Sequence, residues 1–275
     1  MTPSEALVCE VTTTQRLLAA ASARGGQRAL VSGRDGTCYS YAELARIVQA
    51  AAVGLAWRGL QPRDVVGVHV GDAMSFVLAT HAIRATGGVP APVSAGLQVP
   101  EIAWQLAECG ARMLLTALPH TAASLAAADR SWVRQVISFS EAAGTIPFGA
   151  LLGTGSLRPT TGKAHDLALL PYARQADGTL SPVAVTHVEM AAELDRLADA
   201  AGITKRDVVL AAPPAGDGRA YTALIDNALL CGATIVAART DELAEAAWTH
   251  HGTAMIVPLG IDVGAPQTLR VFAVA

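Results

Sequence analysis

The chain has 275 residues, 52% of them apolar and 16% charged, with a formal net charge of −3. This composition supports a substantial buried core rather than a disordered chain, and it lacks the basic footprint of a nucleic-acid binder. No apolar run reaches the ~18–20 uncharged residues of a membrane helix, and the opening MTPSEALVCEVTTTQRLL places acidic residues where a secretory signal is cationic.

Residues 11–24 carry Val11, Leu17, Leu18 and Ala21 at helical spacing. ALVSG (29–33), an Asp35-Gly36 turn and TCYS (37–40) read as a hairpin. Ser40 followed by Glu43 is a capping box that opens a helix to about Trp57, and Gly59 closes it. VVGVHV (65–70) is a continuous apolar run with β-branched residues, the mark of a strand covered on both faces. A helix over 73–86 ends at Gly87-Gly88, and VPAPVS (89–94) is the next strand. Pro100-Glu101 starts a helix that ends near Cys109-Gly110, before the strand RMLLTA (112–117). A helical stretch at 119–128 precedes VRQVISF (133–139).

Residues 153–165 are the most linker-like part of the chain. DLALLPY (166–172) reads as a strand that feeds a loop, followed by a helix at 188–201. The alternation continues with DVVLAAP (207–213), a helix at about 220–231, ATIVAA (233–238), a helix at 241–251, TAMIVPL (253–259) and TLRVFAVA (268–275). Strands alternating with helices predict an α/β fold of layered, mainly parallel sheets flanked by helices. The linker-like stretch splits the reading into residues 1–165 and 166–275.

The loop YARQADGTLSPVAVTH (172–187) resembles the signature loop of the AMP-forming adenylating enzymes: acyl- and aryl-CoA ligases, peptide-synthetase adenylation domains and luciferases. That loop usually reads Y-(T/S)-S-G-T-T-G-x-P-K-G-V-x-x-(T/S)-H, and Tyr172, Gly178, Val183, Thr186 and His187 match it. The stretch from CYSYAELARI to VPAPVS and the later YTALIDNALLCGATIVAA are similar to the same family, so the resemblance extends over nearly the whole chain. It implies the fold of the first part of a ligase's large N-terminal domain. Residues 1–165 are then its first α/β subdomain, and 166–275 a second portion carrying the nucleotide loop.

The residues that would hold phosphate do not match. A phosphate cradle needs glycines that let backbone N–H groups converge, small hydroxyl donors and a lysine. Here Ala173, Arg174, Gln175, Ala176 and Asp177 occupy those places, Ser181 stands where the lysine is expected, and Pro182 removes a backbone donor. Asp177 sets a negative charge against a triphosphate. Arg174 compensates in part, because guanidinium binds phosphate well. The degenerate nucleotide-facing set is therefore Tyr172, Arg174, Asp177, Gly178 and Thr186, with Arg219 and Lys163 as nearby cations. No cofactor is expected.

The resemblance also implies further segments that a ligase carries beyond a strand like TLRVFAVA: the adenine-packing and ribose-binding motifs and a C-terminal domain with a catalytic lysine. The expectation is a truncated homologue. The family's aromatic-His segment falls on Gly216-Asp217, within PPAGDGRAY (213–221), which reads as a turn rather than a pocket wall.

Ser181, His187 and Asp217 supply the residue types of a hydrolase triad without a nucleophile elbow. The plainer reading is a loop serine, a helix-start histidine with Thr186 as its cap, and a turn aspartate. His250-His251 is a poor metal site, and His69 reads as a satisfied core histidine. Cys9, Cys38, Cys109 and Cys231 are scattered and read as reduced, mostly buried thiols of a cytoplasmic protein, with no metal site. Trp57, Trp104, Trp132 and Trp248 are expected to pack helices or strands.

The leading expectation is a ligase-like protein that does not adenylate. It binds a partner protein, or an acyl or aromatic small molecule, in a specialised biosynthetic pathway. Its partner is a second copy, a ligase, a carrier protein or another biosynthetic enzyme, and neither nucleic acid nor membrane is expected. One alternative reuses the cleft for ATP-independent cyclisation, hydrolysis or acyl transfer. A further alternative is the N-terminal half of a split ligase.

Overall fold

The computed structural model describes residues 12–155, 163–213, 218–260 and 269–274. Helix α1 (Thr13–Arg24) opens on a capping box between Thr12 and Gln15. The hairpin β1 (Arg28–Ser32) and β2 (Cys38–Ser40) leads into α2 (Tyr41–Trp57). There Ser40 and Glu43 cap each other, as their spacing predicts. Alternation follows through β3 (Val65–His69), α3 (Ala73–Ala85), β4 (Val89–Pro92), α4 (Val99–Glu108), β5 (Met113–Thr116), α5 (Thr121–Ala128), β6 (Gln135–Ser138) and β7 (Ile146–Pro147).

The later half carries β8 (Leu167–Leu169), β9 (Tyr172–Arg174), β10 (Leu180–Pro182), β11 (Val185–Thr186) and α6 (His187–Ala200). It continues with β12 (Val208–Ala211), α7 (Gly218–Cys231), β13 (Thr234–Ala237), α8 (Leu243–Thr249), β14 (Ala254–Pro258) and β15 (Arg270–Val274).

Two larger sheets organise most of these strands, and β9–β10 and β8–β11 form two-stranded pairs. The order β4-β3-β5-β6-β7 is parallel throughout, and β15-β14-β12-β13-β1-β2 is parallel except for the β1–β2 hairpin. Leu30 pairs with Ile235, so the N-terminal hairpin extends the sheet built by residues 208–274. The fold is the α/β arrangement of parallel sheets flanked by helices that the alternation predicts.

Helix α3 packs against β1 and β13 of one sheet and β3 and β4 of the other. Twelve of its thirteen residues are buried, consistent with an apolar helix held between two layers. Helix α2 runs beside it and leaves no room at Gly54. A Cβ there would lie 2.2 Å from the carbonyl oxygen of Leu151, in the 3-10 turn Phe148–Leu151. In each sheet the strand order reverses, between β4 and β5 about β3 and between β13 and β14 about β12. Such reversals open crevices at the carboxyl ends of parallel strands.

Several local expectations change. The run 166–172 breaks at Leu170-Pro171 into β8 and β9, because proline cannot donate to a ladder. The following loop is itself a hairpin, β9 with β10. Helix α6 begins at His187 and α8 spans Leu243–Thr249. All four tryptophans are solvent-facing, 77%, 47%, 66% and 74% exposed at Trp57, Trp104, Trp132 and Trp248. Of the cysteines, Cys38 is exposed and Cys109 and Cys231 are half-buried, so the expectation of buried thiols does not hold for them; Cys9 lies outside the described residues.

Candidate functional site

The degenerate loop is closed on itself. Leu180 pairs with Arg174, Ser181 with Ala173 and Pro182 with Tyr172. The turn between them has Gly178 at φ +84, a conformation that favours glycine. Gln175 N donates to Thr179 O at 2.7 Å. The Asp177 carboxylate accepts from Thr179 N at 2.9 Å and from its hydroxyl at 2.6 Å. Those two bonds hold the Asp177 carboxyl below the ordinary range. Gln175 Nε2 donates to Ser181 Oγ at 2.5 Å. The side chains of Gln175, Asp177, Thr179 and Ser181 are thus bonded in pairs within the hairpin.

The hairpin also leans on α4. Arg174 donates to the Gly178 carbonyl at 2.7 Å and to Glu101 Oε1 at 2.7 Å. The Tyr172 hydroxyl donates to Glu108, and Trp104 meets the Tyr172 ring edge-on with centroids 6.1 Å apart. Glu101, Trp104 and Glu108 are spaced three and four residues apart, so one face of α4 receives the whole contact. Burial, and then the bond to Glu108, raise the Tyr172 pKa.

Thr186 caps α6 as expected, accepting from Glu189 N at 3.3 Å while Glu189 accepts from Thr186 N at 2.8 Å. His187 is the first residue of that helix, and its backbone N donates to Asp166 O at 3.0 Å. Its ring is 8% exposed, with Nδ1 unpartnered. Burial, reinforced by nearby Arg84, pushes its pKa down to about 4.

No hydrogen bond joins Ser181 to His187: Ser181 Oγ is held by Gln175, and His187 Nδ1 has no partner. Asp217 lies outside the described residues. The cations do not assemble into one anion site either. Arg174 is paired with Glu101, Arg219 lies near Glu189, and Lys163 lies near Asp166, which also pairs with Arg63 at 2.7 Å.

Two features carry no sequence signal. A cleft of about 420 Å3 opens at the carboxyl ends of β1, β3 and β13, with Ser32, Arg34, Gly71, Ser75, Phe139 and Arg239 in its wall. Behind the loop lies a buried relay. Thr14 Oγ1 is 2.9 Å from His81 Nδ1, and His81 Nε2 is 3.2 Å from Asp226 Oδ1. Arg84 donates to Asp226 Oδ2 at 2.7 Å and to Ala168 O at 2.9 Å. This is a hydroxyl–imidazole–carboxylate series, but Thr14, His81, Arg84 and Asp226 are all at most 4% exposed. No substrate reaches it, and it ties α1, α3, α7 and β8 together. Its bonded pairs are at least 67 residues apart, so local spacing does not reveal it.

Among the described residues, no three His, Cys, Asp or Glu side chains are grouped as a metal site requires, and no helix is long and apolar enough to cross a membrane.

The fold is shared with solved structures, among them two described as CoA ligases. A putative long-chain-fatty-acid CoA ligase from Rhodopseudomonas palustris superposes with a TM-score of 0.83 at 18% identity, over 97% of this chain and 70% of that one. A long-chain-fatty-acid-CoA ligase from Archaeoglobus fulgidus gives 0.78 at 20% identity, over 91% and 51%. MbtA of Mycobacterium smegmatis gives 0.79 at 23% identity, over 93% and 49%. In sequence, a feruloyl-CoA synthase from Amycolatopsis is 35% identical over 107 residues, 38% of this chain and 22% of that protein. The match thus spans about a fifth of that curated relative. The family model described as AMP-binding enzyme matches residues 17–258, and the chain belongs to that family.

Proposed function

We propose that this acyl-CoA ligase-like chain does not adenylate and instead binds an acyl or aromatic ligand or a partner protein in a specialised biosynthetic pathway. The observation that carries the reading is the hairpin 172–182. Its carboxylate, hydroxyl and guanidinium groups are bonded within the hairpin or to Glu101 and Glu108 of α4. A triphosphate would have to break those bonds and sit beside Asp177, without a lysine at position 181. The partial likeness to feruloyl-CoA synthase supports an aromatic acid as the ligand class. Protein partnership is supported by β15, which ends its sheet among the described residues and leaves Val271 48% exposed. We place the protein in the cytoplasm, as a homodimer or in a complex with a ligase, carrier protein or related enzyme.

The deciding experiment is ATP–pyrophosphate exchange with a panel of aliphatic and aromatic acids. No exchange is expected, with ATP binding at millimolar Kd or weaker, about −4 kcal/mol or less. Ser181→Lys alone is expected to restore nothing. Robust exchange by the purified chain would overturn the reading. Sedimentation at tens of micromolar tests the assembly, and a monomer would reject it.

A further inference from the structure

Three arginines converge on one groove without an acidic partner. Arg58 follows α2, Arg112 precedes β5 and Arg134 precedes β6. All three line a groove of about 560 Å3 at the amino ends of β3, β5 and β6. Arg112 and Arg134 also line an adjoining hollow of about 270 Å3 with Gly110 and Trp132. Neither lining includes a residue of the 172–187 loop.

The backbone forces the juxtaposition. Arg134 N donates to Arg112 O at 2.8 Å, so two cations begin neighbouring strands side by side. Like charges set next to each other in a sheet destabilise it. Arg16, Arg63, Arg84, Arg174, Arg196, Arg239 and Arg270 each meet a carboxylate; among the described residues, Arg58, Arg112 and Arg134 meet none, and neither do the scattered Arg28, Arg34, Arg46, Arg130 and Arg206. Asp64, the acid in this lining, turns its Oδ2 back to the N–H of Gln61 at 2.8 Å. Three guanidinium groups thus share this lining with one carboxylate, and the groove stays net positive in a chain whose net charge is −3.

The floor is bare as well. Gly59 and Gly110 have φ +97 and +66, and a Cβ on either would meet nothing within 4 Å. Trp132 stands at the rim, 66% exposed. Guanidinium groups take phosphate oxygens two at a time, and an indole face covers a flat ring.

We propose that this groove is a binding site for a small ligand bearing two or more phosphate groups. Arg58, Arg112 and Arg134 hold the phosphate oxygens, and Trp132 closes one side. The site is separate from the reading of the 172–187 loop, and its test does not depend on adenylation.

The test titrates the full chain with inorganic triphosphate at constant ionic strength, following melting temperature and tryptophan fluorescence. Saturable 1:1 binding is expected with Kd below about 1 mM. Arg112→Gln with Arg134→Gln is expected to weaken it at least tenfold, and Arg58→Gln to weaken it separately. Without ligand, the double variant is expected to melt no lower than the parent, because the two cations repel. Uridine triphosphate separates the sources. Equal affinity assigns the site to the phosphate chain alone; tighter binding that Trp132→Ala abolishes assigns it to a nucleotide. The proposal is overturned if matched sodium chloride reproduces the shift, or if the folded double variant and Arg58→Gln bind as tightly as the parent.

Discussion

Arg174 of β9 and Glu101 of α4 meet at 2.7 Å, so the cation best suited to a phosphate is committed to a carboxylate 73 residues earlier. The pair lies on the surface, and exposed ion pairs contribute little to global stability. Its effect is local, and so is its readout. Glu101→Gln should leave the melting temperature nearly unchanged but speed amide hydrogen exchange across residues 172–182. In the parent, the backbone bond from Gln98 and then Arg174 hold the Glu101 carboxyl below its usual range. Unchanged exchange would mean that Tyr172, Glu108 and Trp104 hold the hairpin without Arg174.

Gly54 sits inside α2, where alanine ordinarily stabilises a helix by about 0.5–1 kcal/mol. Here the new Cβ would lie 2.2 Å from a backbone oxygen of Leu151, which cannot move as a flexible side chain can. Overpacking costs about 1–3 kcal/mol, so the clash outweighs the propensity gain. Gly54→Ala should lower the urea midpoint, and a raised midpoint would show that the Phe148–Leu151 turn yields freely.

Asp226 is the charge on which the buried relay depends. Burial alone would raise its pKa, but Arg84 and His81 outweigh burial and hold it below the ordinary carboxylate range. A depressed carboxylate pKa stabilises the fold above the unfolded value of about 3.9, and that stability is lost as pH falls through the folded value. Asp226→Asn strands the Arg84 guanidinium and should cost about 3–5 kcal/mol. Asp226→Leu combined with Arg84→Met should recover much of that loss, because the pair's partners are removed together. Equilibrium unfolding of the three proteins decides between these outcomes.

What the sequence shows plainly is what repeats locally. VVGVHV, RMLLTA and TAMIVPL form strands because each is a short apolar run between turn residues, and Ser40–Glu43 and Thr186–Glu189 cap helices because a cap needs four consecutive residues. The hairpin inside 172–187 is harder to see, since its strands are three residues each and read as loop. Long-range relations leave no local trace. Nothing in the neighbourhood of Arg174 points to Glu101, and nothing near Thr14 points to His81. The tryptophans mislead for a different reason: a large ring favours burial on average, yet Trp57, Trp132 and Trp248 lie at helix ends or in loops, facing water.

Two buried imidazoles make the fold acid-sensitive. Burial, and then neighbouring His120, push the His69 pKa down to about 3, and burial with nearby Arg84 pushes His187 to about 4. His69 Nδ1 is 2.9 Å from Ser124 Oγ, its ring stacks on His120 with centroids 4.4 Å apart, and its Nε2 has no partner to share a proton with. The unfolded chain binds protons at both positions near pH 6.5, where the folded protein does not. Between about pH 4 and pH 6 the unfolded state therefore holds up to two more protons than the folded state. Stability should fall with decreasing pH by at most about 1.4 kcal/mol per pH unit for each histidine. Above pH 7 both rings are neutral in either state, and this dependence disappears. Urea unfolding at intervals from pH 4.5 to 7.5 measures the slope, and His187→Gln should remove about half of it. A flat profile for the parent protein would show that the two rings take up protons in the folded state as readily as in the unfolded chain.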